Sequence, residues 1–187
     1  MESPKLIARV ARLVRDVGIA EELAQDALVA ALEQWPTSGV PDNPGAWLMT
    51  TAKRRAVDHV RRQKLFERQK MELGREFVAD RTESVQDPES AIDDDISDDL
   101  LRLIFTTCHP VLAPEARVAL TLRLLGGLTT DEIARAYLVA EPTIAQRIVR
   151  AKRTLSESGV PFEVPRGAEL AERLGSVLEV ILSLIHI

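Results

Sequence analysis

Residues 128–155 read "LTTDEIARAYLVAEPTIAQRIVRAKRTL". Thr129 and Glu132 stand three apart just ahead of an apolar run, which is the spacing of a capping box. They predict a short helix with Ile133, Ala134 and Tyr137 facing inward. Residues 138–141 form a turn, and Pro142 suits the first turn of a second helix. In that helix Ile144, Ile148, Ala151 and Leu155 recur at i, i+4, i+7 and i+11, a buried stripe. Thr143, Gln146, Arg147, Arg150 and Thr154 make the opposite stripe, flanked by Lys152 and Arg153. Two short helices about a tight turn are a helix-turn-helix pattern, whose second helix lies in a DNA major groove. Arg147 and Arg150 then reach guanine edges or phosphates, and Gln146 pairs with adenine. Thr143 and the first-turn amides stand where a phosphate is held.

Charge points the same way. The 187-residue chain has a formal net charge of -5. Yet residues 142–155 carry four basic side chains and no acidic one. A polyanionic partner accounts for cations gathered on one helix of an acidic protein. The plainer alternative is a solvated basic helix of an ordinary bundle.

Outward from this motif, composition predicts an all-α chain. Apolar residues make up 45% but aromatics only 4%, so the core must be built from Leu, Val, Ile and Ala on packed helices. Cys108 is the one cysteine. It excludes an intrachain disulfide and fits a reducing compartment, so a cytoplasmic location is expected. Glu2, Lys5, Arg9, Arg12, Arg15 and Asp16 rule out an apolar signal core at the start. The final eleven residues, "VLEVILSLIHI", are apolar but too short to span a bilayer, and no membrane role is expected.

Residues 4–17 read as a helix with Leu6, Val10, Leu13, Val14 and Val17 on one face, ended by Gly18. A second helix over 20–35 turns Leu23, Ala27, Leu28, Ala31 and Leu32 inward on one face, and its other side is acidic, with Glu21, Glu22, Asp26 and Glu33. Residues 36–45 hold three prolines and two glycines and read as a loop. Asn43 then caps a helix opened by Pro44. On it Trp47, Leu48, Thr51, Ala52, Val57 and Val60 line the core, leaving Lys53, Arg54, Arg61, Arg62 and Lys64 for solvent or a polyanion. Residues 53–70 hold eight basic and two acidic side chains, whereas 71–99 hold two basic and eleven acidic. Lacking any apolar period, residues 71–97 read as a linker. A further helical unit starts near Asp98 with Leu100, Leu101, Leu103, Ile104 and Phe105. A turn between Pro110 and Pro114 leads to the helix "EARVALTLRLLGG", closed by Gly126 and Gly127.

Taken together, "AEELAQDALVAALEQW" followed by "PGAWLMTTAKRRAVDHVRR" resembles region 2 of bacterial RNA polymerase sigma factors, and residues 128–155 resemble region 4.2. Their order, the linker and the lack of a region 3 resemble the extracytoplasmic function group. "FTTCHPVLAPEARVALTLRLLGGLTTDEIARAYLV" is most similar to its subgroup with a C-terminal helical extension. The likeness covers about residues 5–158. It implies two small helical domains, region 2 over 4–70 and region 4 over 98–158, joined by the acidic linker 71–97 and followed by the start of the extension over 159–187.

The resemblance further implies that Leu23, Gln25 and Asp26 dock on the clamp helices of the polymerase β′ subunit. Region 4 would meet the β flap. The loop 36–45 would capture a base flipped out of the minus-ten element, and Lys53, Arg54, Arg55, Arg61 and Arg62 would support melting. The minus-thirty-five element would be held by Thr143, Gln146, Arg147, Arg150, Lys152 and Arg153. Arg54 stands where the family commonly has Asn, so strand contacts there should differ. Family members usually have about a dozen residues more before Pro4, and members of the extended subgroup continue well beyond Ile187 with a helical domain. "AELAERLGSVLEVI" resembles the first extension helix and "LSLIHI" does not resemble its continuation, so a fragment or an altered terminus is expected. Control by an anti-sigma protein or by the extension would fit the family.

Other readings remain. A repressor or activator acting without core polymerase would use the helix-turn-helix but leave the acidic helix and proline-rich loop idle. An enzyme is not expected. Asp93, Asp94 and Asp95 lack the His or second carboxylate motif of a metal site. Cys108 with His59, His109 and His186 makes no four-ligand zinc set, and no cofactor is expected. The acidic linker reads as a tether, or as a stretch folding back on the basic faces to weaken DNA binding by the free protein.

Overall fold

The computed structural model describes residues 3–74 and 96–185. The acidic stretch with Asp93, Asp94 and Asp95 lies outside the described residues, as does His186. Described residues form α1 (Ser3–Val14), α2 (Val17–Ser38), α3 (Pro44–Gly74), α4 (Ile96–Thr107), α5 (Pro114–Leu124), α6 (Thr130–Ala136), α7 (Glu141–Glu157) and α8 (Ala168–Ile185). The fold is all-α, as the composition predicts.

Several boundaries differ from the sequence reading. The first break falls at Arg15 and Asp16, ahead of Gly18. Arg15 takes a positive φ of 56°, and the Asp16 carboxylate accepts from the amides of Gly18 and Ile19 at 2.8 and 3.0 Å. An N-cap aspartate restarts the chain there, so Gly18 lies inside α2. The loop expected over 36–45 shrinks to 39–43, because α2 runs through Pro36 to Ser38. Proline withholds one amide from the ladder. The hydroxyls of Thr37 and Ser38 both donate to the Gln34 carbonyl at 2.9 Å and hold the last turn. Asn43 caps α3 as expected, accepting from the Ala46 amide at 3.0 Å.

One apolar core runs through both halves. Leu6, Val10, Ala20, Ala27, Leu48 and Ala52 from α1–α3 belong to the same buried cluster as Leu103, Leu120, Leu124, Ile133 and Ile144 from α4–α7. The junction is made by α1 against α4 and by α2 against α7. A second cluster joins Phe105, Cys108 and Val118 to Val177 and Val180 of α8. Arg173 of α8 donates to the Phe105 carbonyl at 2.8 Å, and Arg117 of α5 meets Glu179 at 2.7 Å. These bonds clasp α8 to α4 and α5.

The capping box forms as the sequence predicts. The Glu132 amide donates to the Thr129 hydroxyl at 3.2 Å, and the Thr129 amide donates to the Glu132 carboxylate at 2.8 Å. The backbone bond from Thr129, then its hydroxyl, hold the Glu132 carboxyl below the usual carboxylate range. Their stabilisation is present at neutral pH and lost as acid protonates the folded-state carboxylate. Thr129→Ala is expected to lower Tm by a few degrees, a cap of this kind being worth about 1 kcal/mol. Thermal melts at pH 7 measure it.

Candidate nucleic-acid interface

α7 presents its faces as its spacing dictates. Ile144, Ile148, Ala151 and Leu155 are buried. They turn Thr143, Gln146, Arg147 and Arg150 outward along one wall of an open groove of about 350 Å³. The other wall is Val111, Leu112 and Ala113 from the turn between α4 and α5, with Ala116. Neither Arg147 nor Arg150 enters an ion pair among the described residues. Both guanidiniums are therefore available to an outside anion. Arg147 lies close enough to the half-buried Tyr137 to favour its phenolate, but burial dominates and pushes that phenol up. The Tyr137 hydroxyl itself is buried without a hydrogen-bond partner.

Lys152 does not join that row. At about 100° per residue, Lys152 sits about 160° around the helix from Arg150. It pairs with the buried carboxylate of Glu21 on α2. This placement was legible from spacing, since Ile144, Ile148 and Lys152 recur every fourth residue. Arg153 is solvent-exposed and held by Glu157 at 2.7 Å, one turn on.

On α3, Leu48, Ala52 and Ala56 are buried. Arg54 and Arg61, two turns apart, point away from them and are exposed, as is Arg62. Lys53 and Arg55 lie at the flanks and are half-buried. Arg55 reaches back to Asp26 on α2 at 2.9 Å. Trp47 packs edge-on against Trp35, ring centres 5.5 Å apart, so it belongs to the core beside the loop 39–43.

On α2, Gln25 and Asp26 are exposed, but Leu23 is buried in the core. Leu32, read from the sequence as inward, is 76% exposed, and Val29 is 51% exposed. Gln25, Asp26, Val29 and Leu32 thus share an outer face that is acidic and apolar together, the character of a docking surface. The sequence reading missed Val29 and misplaced Leu32. The inward face is filled by alanines, Ala20, Ala24, Ala27 and Ala31, and Leu32 stands about 100° around the helix from Ala31, off that face.

No cluster of His, Cys, Asp and Glu capable of holding a metal occurs among the described residues. Cys108 is buried, and burial raises its thiol pKa. Among the described residues no helix is long and apolar enough to cross a membrane.

Known proteins resemble both halves of the chain. The family model "Sigma-70 region 2" matches residues 1–66, and "Sigma-70, region 4" matches residues 102–155. An uncharacterized protein of Rhizobium meliloti (strain 1021) is 37% identical over 183 residues, covering 95% of this chain and 42% of that protein. The ECF RNA polymerase sigma factor SigK of Mycobacterium ulcerans is 34% identical over 150 residues, 78% of this chain and 75% of its own length. A probable ECF RNA polymerase sigma factor, SigI of Mycobacterium tuberculosis, is 28% identical over 153 residues, 82% of this chain and 51% of its own length. The chain thus spans less than half the length of the Rhizobium relative.

Proposed function

The chain belongs to the ECF RNA polymerase sigma factors, and from that premise we propose that it is a transcription initiation factor, binding core RNA polymerase and directing it to promoters. The observation that carries this reading is the outward row Thr143, Gln146, Arg147 and Arg150 on a helix whose other face is buried. Phosphate contacts would position that row on the minus-thirty-five element, and a few base contacts would specify it.

In the same reading residues 4–70 take the minus-ten and polymerase roles and 98–158 the minus-thirty-five role. Arg54, Arg61 and Arg62 hold the melting strands, joined by Lys53 and by Arg55 once it leaves Asp26. The loop 39–43 takes the flipped base. Gln25 and Asp26, extended by Val29 and Leu32, form the acidic and apolar face for the β′ clamp helices, with Leu23 supporting it from within. An anionic face suits a basic coiled coil.

Run-off transcription on a promoter library tests it. Promoter-directed transcripts are expected only when chain and core polymerase are both present. Tight binding of a palindromic operator by the chain alone, with no effect of core polymerase, would replace this reading with a self-sufficient repressor.

A further inference from the structure

The buried stripe of α7 fixes where its outermost line runs. Ile144, Ile148, Ala151 and Leu155 are spaced i, i+4, i+7 and i+11. Positions two residues earlier lie about 200° around the helix, at about 100° per residue. Pro142, Gln146, Val149 and Arg153 therefore form the line opposite the core, and all four are exposed. Thr143, Arg147, Arg150 and Thr154 follow one residue later, on the shoulder beside the turn between α4 and α5.

Val149 is the unexpected member of this line. It is 64% exposed, the one large apolar side chain that α7 leaves in solvent. A β-branched residue loses χ1 freedom in a helix and is a poorer helix former than alanine. At that exposure, packing within the chain returns little of the loss. A lone exposed valine is ordinary by itself, but the surroundings of this one are not. Residues three and four apart are neighbours on a helix, so Ala145 and Pro142 extend its apolar surface toward the N-terminus of α7. Gln146 and Arg150 border that strip on one side.

One group in the major groove suits such a strip. Thymine alone presents a C5 methyl there, and small apolar side chains meet it, whereas the other base edges offer hydrogen-bonding groups that valine cannot use. We propose that Val149 reads a thymine methyl and is a specificity-determining residue for the minus-thirty-five element. This inference rests on the sigma-factor reading above and adds a residue outside the row assigned there. Val149 lies three residues beyond Gln146, about 4.5 Å along the helix axis. Base pairs are stacked about 3.4 Å apart. The thymine therefore adjoins the base pair that Gln146 contacts.

Deoxyuridine tests it, because it keeps every hydrogen-bonding group of thymine and lacks only the methyl. Promoters are first selected from a library by run-off with core polymerase. Each thymine of the selected element is then replaced singly by deoxyuridine, and affinity for the holoenzyme is measured. At one position the loss is expected to be about fourfold, the size of one methyl group returned to water. Val149→Ala is expected to lose a similar factor on the thymine duplex and nothing further on the uracil duplex, since both changes remove one contact. Alanine favours the helix, so circular dichroism and core-polymerase binding should match the wild type. Uracil costing the variant as much as the wild type overturns the proposal, and so does an element in which no thymine methyl matters. Weakened core-polymerase binding by Val149→Ala would place the side chain on a protein face and overturns it as well. If core polymerase makes no difference to DNA binding, the sigma-factor reading fails, while the same uracil series on duplexes selected by the chain alone still decides the methyl contact.

Discussion

Replacing Arg147 and Arg150 together with alanine is expected to lower promoter-directed run-off by roughly a hundredfold. Each well-placed arginine bonded to a base is worth about 1–3 kcal/mol, and the two positions lie on one face of one helix. Neither enters an ion pair in the described residues that would fail on its removal, so the fold and the binding of core polymerase should survive. Two further readouts separate weakened DNA binding from a damaged fold. The dependence of promoter affinity on salt should flatten, by about 0.9 in logarithmic slope for each phosphate the variant no longer neutralises. Far-UV circular dichroism should match the wild type. Arg153→Ala should cost far less, because that side chain is solvated and already turned toward Glu157. If the double variant transcribed like the wild type, the outward row would be an ordinary solvated face after all.

Leu120→Ala is expected to destabilise the whole protein. Leu120 on α5 is fully buried in the core that both halves share. Truncating a leucine in such a place costs about 2–5 kcal/mol, which for a chain of this size lowers Tm by roughly 5–15 °C. The informative part is which probe reports it. Both tryptophans of the chain, Trp35 and Trp47, lie in the first half, whereas Leu120 lies in the second. If α1 on α4 and α2 on α7 make one cooperative unit, tryptophan fluorescence should shift by the same amount as circular dichroism at about 222 nm. If fluorescence held its wild-type midpoint while the helical signal split into two transitions, the halves would be independent folding units. The shared core would then add little to either.

Local features were the most legible part of this protein. The Thr129 and Glu132 capping box, the Asn43 cap and the Ile144–Ile148–Ala151–Leu155 stripe each depend on neighbours within a few residues. Spacing is enough to read such neighbours. The Thr143, Gln146, Arg147 and Arg150 row follows from that stripe by helical geometry alone. The breaks between helices were read less well. Gly18 looked like a terminator, but the Asp16 carboxylate caps the next helix two residues earlier. Pro36 looked like the start of a loop, but two hydroxyls carry the last turn past it.

What tertiary structure alone decided is which charges find partners. Lys152 and Arg150 are equally cationic in the sequence. One is neutralised by Glu21, 131 positions away in number but adjacent in space, and the other is left to solvent. Leu32 and Leu28 are equally apolar, yet Leu28 packs against the core while Leu32 is left 76% exposed. A helix shows its periodicity in its own residues, because neighbours three and four apart meet wherever the helix sits. The burial of a carboxylate or the exposure of a leucine depends on what another segment brings to it, and no spacing within one helix records that.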